Sequence, residues 1–177
     1  MQHRAWFTLL CVMAASCGGP KAQEWTNSHS GPGEDAFLVD SDFGCYRDWE
    51  KIGASYFGNV NGHTEETVKA AREGGEYPIG TIVQLAPIEA MVKRHEGFNE
   101  ASADWEFFKL TTDGGQRVIL ERGTDKIGNI GGKCLKCHLG AEPKWDLVCG
   151  ADHGCKPLPG FVVKAGDKRT MEDPLCD

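Results

Sequence analysis

The chain contains no apolar run long enough to span a bilayer. Its longest such stretch, Ala5 to Ala15, falls well short of the roughly 20 residues a crossing helix needs. Basic residues are in deficit, 19 Lys and Arg against 26 Asp and Glu, for a net charge of −7. That balance disfavours nucleic acid, whose phosphates call for Lys and Arg, and gives no electrostatic help toward anionic lipid. Phosphate-loop chemistry is absent too: Gly128, Gly131 and Gly132 are not followed by a helix opening on Gly-Lys-Ser/Thr. No internal repeat occurs, and no low-complexity tract beyond residues 18–40. Membrane spanning, nucleic-acid binding and nucleotide-phosphate chemistry drop out on these grounds.

Glycine and cysteine are plentiful instead, at 23 and 8 residues. The glycines, with 8 prolines, predict many turns. The most specific signal is Cys134-Leu135-Lys136-Cys137-His138, a C-x-x-C-H sequence of the kind that attaches a c-type haem. The spacing has a chemical reason. Positions i, i+3 and i+4 share one face of a helical turn, so two thiols can each add to a haem vinyl group. His138 then follows where an imidazole can meet the iron.

The start of the chain reads as an export signal, residues 1–16. His3 and Arg4 form a short charged region, Ala5 to Ala15 the apolar core, and Ala14-Ala15-Ser16 the small residues before a cut. Cys17 would follow that cut, ahead of Gly18-Gly19-Pro20, as in bacterial lipoproteins whose first mature cysteine is acylated. Ordinary cleavage with a free Cys17 is the alternative. Losing Arg4 with the leader takes the charge from −7 to −8. Residues 17–40 read as a flexible, lipoprotein-like tether and 41–177 as one globular domain. The expected location is periplasmic, anchored to the outer membrane by lipid alone.

Of the remaining cysteines, Cys149 and Cys155 flank a tight Gly/Asp/His loop and are expected to pair. Cys45 and Cys176 then pair by default, four free thiols being the alternative.

Local patterns suggest helices first. Tyr46, Trp49, Ile52 and Tyr56 recur at helical spacing from about Asp42, with Gly58 as the stop. Thr64 is a candidate N-cap for a second helix, with Glu65 and Glu66 in its first turn and Gly74-Gly75 at its end. Strands follow: Thr81 to Leu85, then Ile88 to Lys93 alternating as a half-buried strand, then Trp105 to Leu110. Asp113-Gly114-Gly115 is a hairpin turn leading into Val118 to Leu120. The fold class expected is α+β, an antiparallel β-meander packed with N-terminal helices around one covalently attached haem.

Helices, then a meander, then a late C-x-x-C-H, with particular residues in between, resemble the cytochrome P-460 and cytochrome c′-beta family. The likeness is carried by Tyr46-Arg47-Asp48-Trp49, Tyr77-Pro78-Ile79-Gly80-Thr81, Asp104-Trp105-Glu106-Phe107-Phe108, Cys134 to His138 and Trp145-Asp146-Leu147-Val148. It implies one haem c held by Cys134 and Cys137, His138 as proximal iron ligand and an often open opposite face. It also implies binding of nitric oxide or oxidation of hydroxylamine. The hydroxylamine-oxidising members join a lysine of the meander to the haem edge. Thr81 to Met91 has no lysine; Gln84 and Leu85 stand where one would be sought, and Lys93 is the next available. That favours a plain haem c.

Candidates for the distal side of the iron are Met91, His63, His95 and His153 as ligands, and Phe107 or Phe108 as an apolar wall. Lys133, Lys136 and Lys144 surround the haem motif and suit propionates or an acidic redox partner protein. The readings are therefore an exported cytochrome acting on small nitrogen species, an electron carrier with six-coordinate iron, or a zinc-stabilised exported module. The last would draw its four ligands from Cys134, Cys137, His138, Cys149, His153 and Cys155. A thioredoxin-like dithiol is disfavoured by the lack of a βαβ pattern. A homodimer is left open. Mass spectrometry of membrane-extracted protein is expected to find acyl chains on an N-terminal Cys17; a free thiol there would remove the anchor.

Overall fold

A computed structural model describes residues 38–47, 49–85, 88–129, 132–150, 152–156 and 175–176. The leader, the tether and Cys17 lie outside the described residues. No helix among the described residues is long and apolar enough to cross a membrane.

Six strands form one antiparallel sheet in sequential order: β1 Glu50–Ile52, β2 Ser55–Asn59, β3 Thr81–Leu85, β4 Glu89–Lys93, β5 Trp105–Asp113 and β6 Gln116–Gly123. Helix α1, Thr64–Glu73, crosses between β2 and β3. A two-stranded ribbon, β7 Gly128–Asn129 with β8 Gly132–Lys133, then leads into a one-turn helix, α2 Cys134–His138. Short 3-10 turns occupy Asp40–Phe43, Glu100–Ser102 and Pro143–Trp145. This is an α+β domain built on the expected meander.

The expected first helix is not there. Its residues form the Asp40–Phe43 turn and the β1–β2 hairpin instead. Gly53, at φ +62, turns the chain back, and Glu50 and Ile52 pair with Phe57 and Ser55. The helical spacing misled because Tyr46 and Tyr56 do meet, ring centroids 4.4 Å apart, but across the reversal. Gly58 is no terminator either. It lies within β2, where a Cβ would stand 2.8 Å from the Trp49 indole. β-branched and aromatic residues fit a pleated surface better than a helix, and their cross-strand contacts decide the matter here.

The second helix forms as expected, with its cap one residue earlier. His63 is the N-cap and Thr64 the first helical residue. Gly74, at φ +83, ends it and donates to the Ala70 carbonyl. Gly75 N–H then reaches the Lys144 carbonyl at 2.7 Å. A side chain at Gly74 would meet that same carbonyl at 2.8 Å, so glycine lets the helix end touch the chain beyond α2. The Asp113-Gly114-Gly115 turn also forms as read: Gly114 and Gly115 have φ of +54 and +75, the signs of the hairpin turn that matches strand twist.

Strand β4 was expected to be half-buried, but Ala90, Met91, Val92 and Lys93 are all buried. Both faces of the sheet are covered. On one, Phe57, Val83, Met91, Trp105 and Phe107 pack with Ala70 and Ala71 of α1, Leu135 of α2, and Val148. On the other, Ile82, Ala90, Val92, Phe108 and Leu110 pack with Leu38 and Phe43. The 38–43 segment is pinned there by polar contacts as well. Asp40 accepts from the Ile119 amide at 2.8 Å, and Arg117 and Arg122 donate to the Phe43 and Leu38 carbonyls. Both expected disulfides are present, Cys45–Cys176 and Cys149–Cys155.

Gly58→Val would drive a branched side chain into the Trp49 ring. Overpacking of this kind costs about 1–3 kcal/mol, to be read as a lowered urea midpoint. Adding Trp49→Ala should recover part of the loss. A Gly58→Val protein of unchanged midpoint would refute the contact.

Candidate functional site

The motif residues meet at one cleft. Cys134, Cys137 and His138 line it from α2, and Val83, Leu85, Met91 and Phe107 from the sheet. Val148 and the Cys149–Cys155 bridge close a further side. The cleft encloses about 820 Å³ counted out to its open mouth, and apolar groups make up most of its wall. Cofactor sites commonly have walls of this character.

A five-residue helix has little stability of its own. α2 is held by Leu135 in the core, by the Cys134 amide donating to the Ile127 carbonyl at 3.0 Å, and by His138. The β7–β8 ribbon brings the chain in. Gly128 sits so close to the Gly132 carbonyl that a Cβ would be 2.8 Å from it. These glycines let backbone approach backbone, and Gly132 and Lys133 then reach the cleft.

His138 Nδ1 donates to the Leu147 carbonyl at 2.7 Å, on the neutral tautomer that this acceptor requires. Nε2 is thereby left with its lone pair. Metal-bound histidines use the same arrangement, the second ring nitrogen donating to a carbonyl or carboxylate. Burial pushes the imidazole below its usual pKa, with the Leu147 bond opposing, so the ring is neutral at physiological pH. The Phe107 ring lies against it, centroids 5.0 Å apart.

The Leu147 carbonyl is aimed by an unusual turn. Asp146 and Leu147 both stand in the left-handed region, at φ +47 and +62. Non-glycine residues pay about 1–3 kcal/mol each for such conformations, which persist only where the surroundings over-determine them. Here the Trp105 indole donates to the Asp146 carbonyl at 2.7 Å. The Asp146 carboxylate accepts from Lys93 Nζ at 2.8 Å and from the Tyr77 amide at 3.0 Å. Burial pushes this carboxyl up, against the pull of Lys93 and the Tyr77 N–H.

Both motif thiols are free. The Cys134 thiol is pushed up to about 11, chiefly by burial and then by the nearby Glu89 carboxylate. It is a neutral thiol at physiological pH.

The distal candidates separate. Met91 and Phe107 line the cleft from one face of the sheet. Phe108 reaches its wall but packs chiefly in the second core. Among the described residues lining the cleft, His138 is the one histidine. His63 is exposed at the start of α1, and His95 meets Phe98 edge-on in a turn. His153 stacks on Trp145 with centroids 3.7 Å apart and bonds the Val148 carbonyl. Gln84 is fully buried on the second-core strand face, while Leu85 lines the cleft. Lys133 lines it too, and Lys136 and Lys144 are exposed.

The zinc ligand pool is broken up, with Cys149 and Cys155 consumed in a disulfide. Among the described residues, no group of three His, Cys, Asp or Glu side chains is arranged to hold a metal ion. Missed from sequence are Leu147 as hydrogen-bond acceptor and Lys93, Tyr77 and Trp105 as holders of its turn. Asp146 is of a type that tolerates positive φ, but nothing local marks Leu147 for it. No family model, no curated protein and no solved structure matches this chain.

The metal-free protein should be most stable between about pH 6.5 and 9. Below the ordinary histidine value of 6.5, the folded state with its lowered His138 pKa binds fewer protons than the unfolded chain, so falling pH favours unfolding. Above 9.0 the folded state keeps the Cys134 proton that the unfolded chain has lost, so stability declines up to about 11. Urea midpoints against pH should show both limbs. Cys134→Ala should flatten the alkaline one between about pH 9 and 10, below the range where the buried Tyr77 phenol, also raised, contributes a decline of its own; an unchanged limb there in that variant would contradict the assignment.

Proposed function

We propose that the cleft holds one haem c, bound through Cys134 and Cys137, with His138 as an axial ligand of its iron, and that the protein is an exported cytochrome handling small nitrogen species. The observation that carries this is the convergence of two reduced thiols and a neutral imidazole, its Nδ1 already bonded, on one apolar cavity. The donor chemistry fits the group. Cys134 and Cys137 would hold it by each adding sulfur to one vinyl carbon and hydrogen to the other, a step that needs no oxidant. His138 offers Nε2 for the metal, as proximal histidines do. Val83, Leu85, Met91, Phe107 and Val148 line the cleft and would limit water around the bound group.

When bound, haem supplies a redox-active iron able to take a diatomic or a small amine at an open position. What this chain contributes is access and charge control. Apart from His138, no histidine lines the cleft among the described residues, which favours an unoccupied sixth position. Apolar walls favour an uncharged ligand such as nitric oxide over a hydrated ion. The likeness to the cytochrome P-460 family points to the same ligand class. Lys93 is buried and committed to Asp146 and the Ala103 carbonyl, which supports an uncrosslinked haem c and ligand binding over hydroxylamine oxidation. The two disulfides suit a periplasmic setting, and Lys133 at the cleft, with Lys136 and Lys144 exposed, suits a redox partner protein.

Met91 supports a second reading, because its thioether also lines the cleft and would make the iron six-coordinate for electron transfer.

Protein made with a haem-attachment system should be coloured and give a haem c pyridine haemochrome. Cys134→Ala with Cys137→Ala should abolish covalent haem, and haem retained covalently in that double variant would refute the assignment. Carbon monoxide and nitric oxide should shift the reduced spectrum. A reduced low-spin spectrum indifferent to both gases, but responsive after Met91→Ala, would select the electron carrier.

A further inference from the structure

We propose that Lys93, Asp146 and Trp105 are positioning residues for His138, locking the turn that aims the Leu147 carbonyl at the imidazole. The inference rests on His138 being the iron's ligand and deepens it by naming the groups that set the ring's tautomer and its strength as a donor.

Three separate parts of the sheet region converge on one residue. Trp105, the first residue of β5, donates to the Asp146 carbonyl at 2.7 Å. Lys93, the last residue of β4, reaches the Asp146 carboxylate at 2.8 Å and lies over the Trp105 ring, 5.5 Å from its centroid. Tyr77, just before β3, gives the same carboxylate its backbone N–H at 3.0 Å. Main-chain and side-chain oxygens of Asp146 are thus both held from the sheet side. The next carbonyl along the chain, that of Leu147, serves His138. One strained residue pair therefore passes the geometry of the sheet to the imidazole.

The pair of charges is deeply placed, with Lys93 and Asp146 side chains 5% and 11% exposed. A buried ion pair is weak evidence for stability, since apolar residues of similar volume often serve as well. Its geometry is the more specific contribution. Lys93 also donates to the Ala103 carbonyl at 3.0 Å, and Ala103 and Asp104 form the other left-handed pair, at φ +46 and +60. The ammonium thus ties together two turns that ordinary side chains resist. A merely structural clamp would affect how firmly segment 143–148 docks. A positioning clamp must in addition control which nitrogen of His138 carries the proton.

The test is a two-bond ¹H–¹⁵N correlation of the His138 ring in the metal-free protein, for wild type, Trp105→Phe, Asp146→Ala and the paired swap Lys93→Met with Asp146→Leu. Wild type should show the Nδ1–H tautomer alone. The variants should show a second, Nε2–H population, with the Nδ1 proton exchanging about ten-fold faster as its hydrogen bond loosens. The paired swap removes both charges together and is the variant expected to keep its fold if Asp146→Ala does not. Lys109→Ala, which opens the exposed pair with Glu121, should leave the ring signals unchanged. In haem-loaded protein, the variants should have a raised reduction potential, because a weaker Nδ1–H bond makes the imidazole a poorer donor to ferric iron. Folded variants with a wild-type tautomer and potential would overturn the proposal, as would an Nε2–H tautomer in wild type. Failure to take up haem would sink the cytochrome reading and the predicted potential shift with it, while the metal-free measurement separately decides whether the clamp sets the His138 tautomer.

Discussion

The hydrogen bond from His138 to the Leu147 carbonyl is the contact on which the rest of the cleft depends. It chooses between two tautomers that are close in energy for a free imidazole, and so decides which nitrogen can meet a metal. It is formed between a helix of one turn and a segment with left-handed backbone, neither of which would hold its shape alone. Burial keeps the ring uncharged, and the sheet supplies the rigidity. The short, strained parts lie against the long, regular one and take their positions from it.

That sheet can do so because its central strands β3, β4 and β5 are covered on both faces. A one-sided meander would twist and breathe against solvent. Here the 38–43 segment covers the back while α1, α2 and the 143–148 segment cover the front. The covering segment is fastened through charge as well as apolar contact. Glu106 accepts two bonds from Arg122, whose guanidinium also reaches Leu38, and pairs with Arg94. Charged hydrogen bonds of this bidentate kind fix orientation as well as adding energy.

How much of this was legible in the chain follows from the range of the forces involved. Turn chemistry is local, so the Gly114-Gly115 hairpin and the Gly74 helix end could be read directly. Successive strands with short links implied a meander, and it formed. The motif named Cys134, Cys137 and His138 together because their spacing is itself a local rule. The error over 46–56 arose where two periodicities coincide: aromatics three and four apart satisfy a helix and also a hairpin whose ends fold back. Strand β4 was misread as half-exposed because Lys93 looks like a solvent residue until Asp146, 53 positions later, is seen beside it. The clamp on Leu147 was invisible for the same reason. Its members lie on three separate segments, and only the completed sheet makes them neighbours.

The Cys45–Cys176 bridge joins positions 131 residues apart, and among the described residues every strand and both helices fall between them. The chain from Cys45 to Cys176 is therefore a covalent ring. A protease that nicks any one loop opens the ring into a linear chain without releasing a fragment, and the severed ends stay within reach of each other. Local damage by a protease is in this way kept from becoming loss of a piece, so long as the sulfur link stays oxidised.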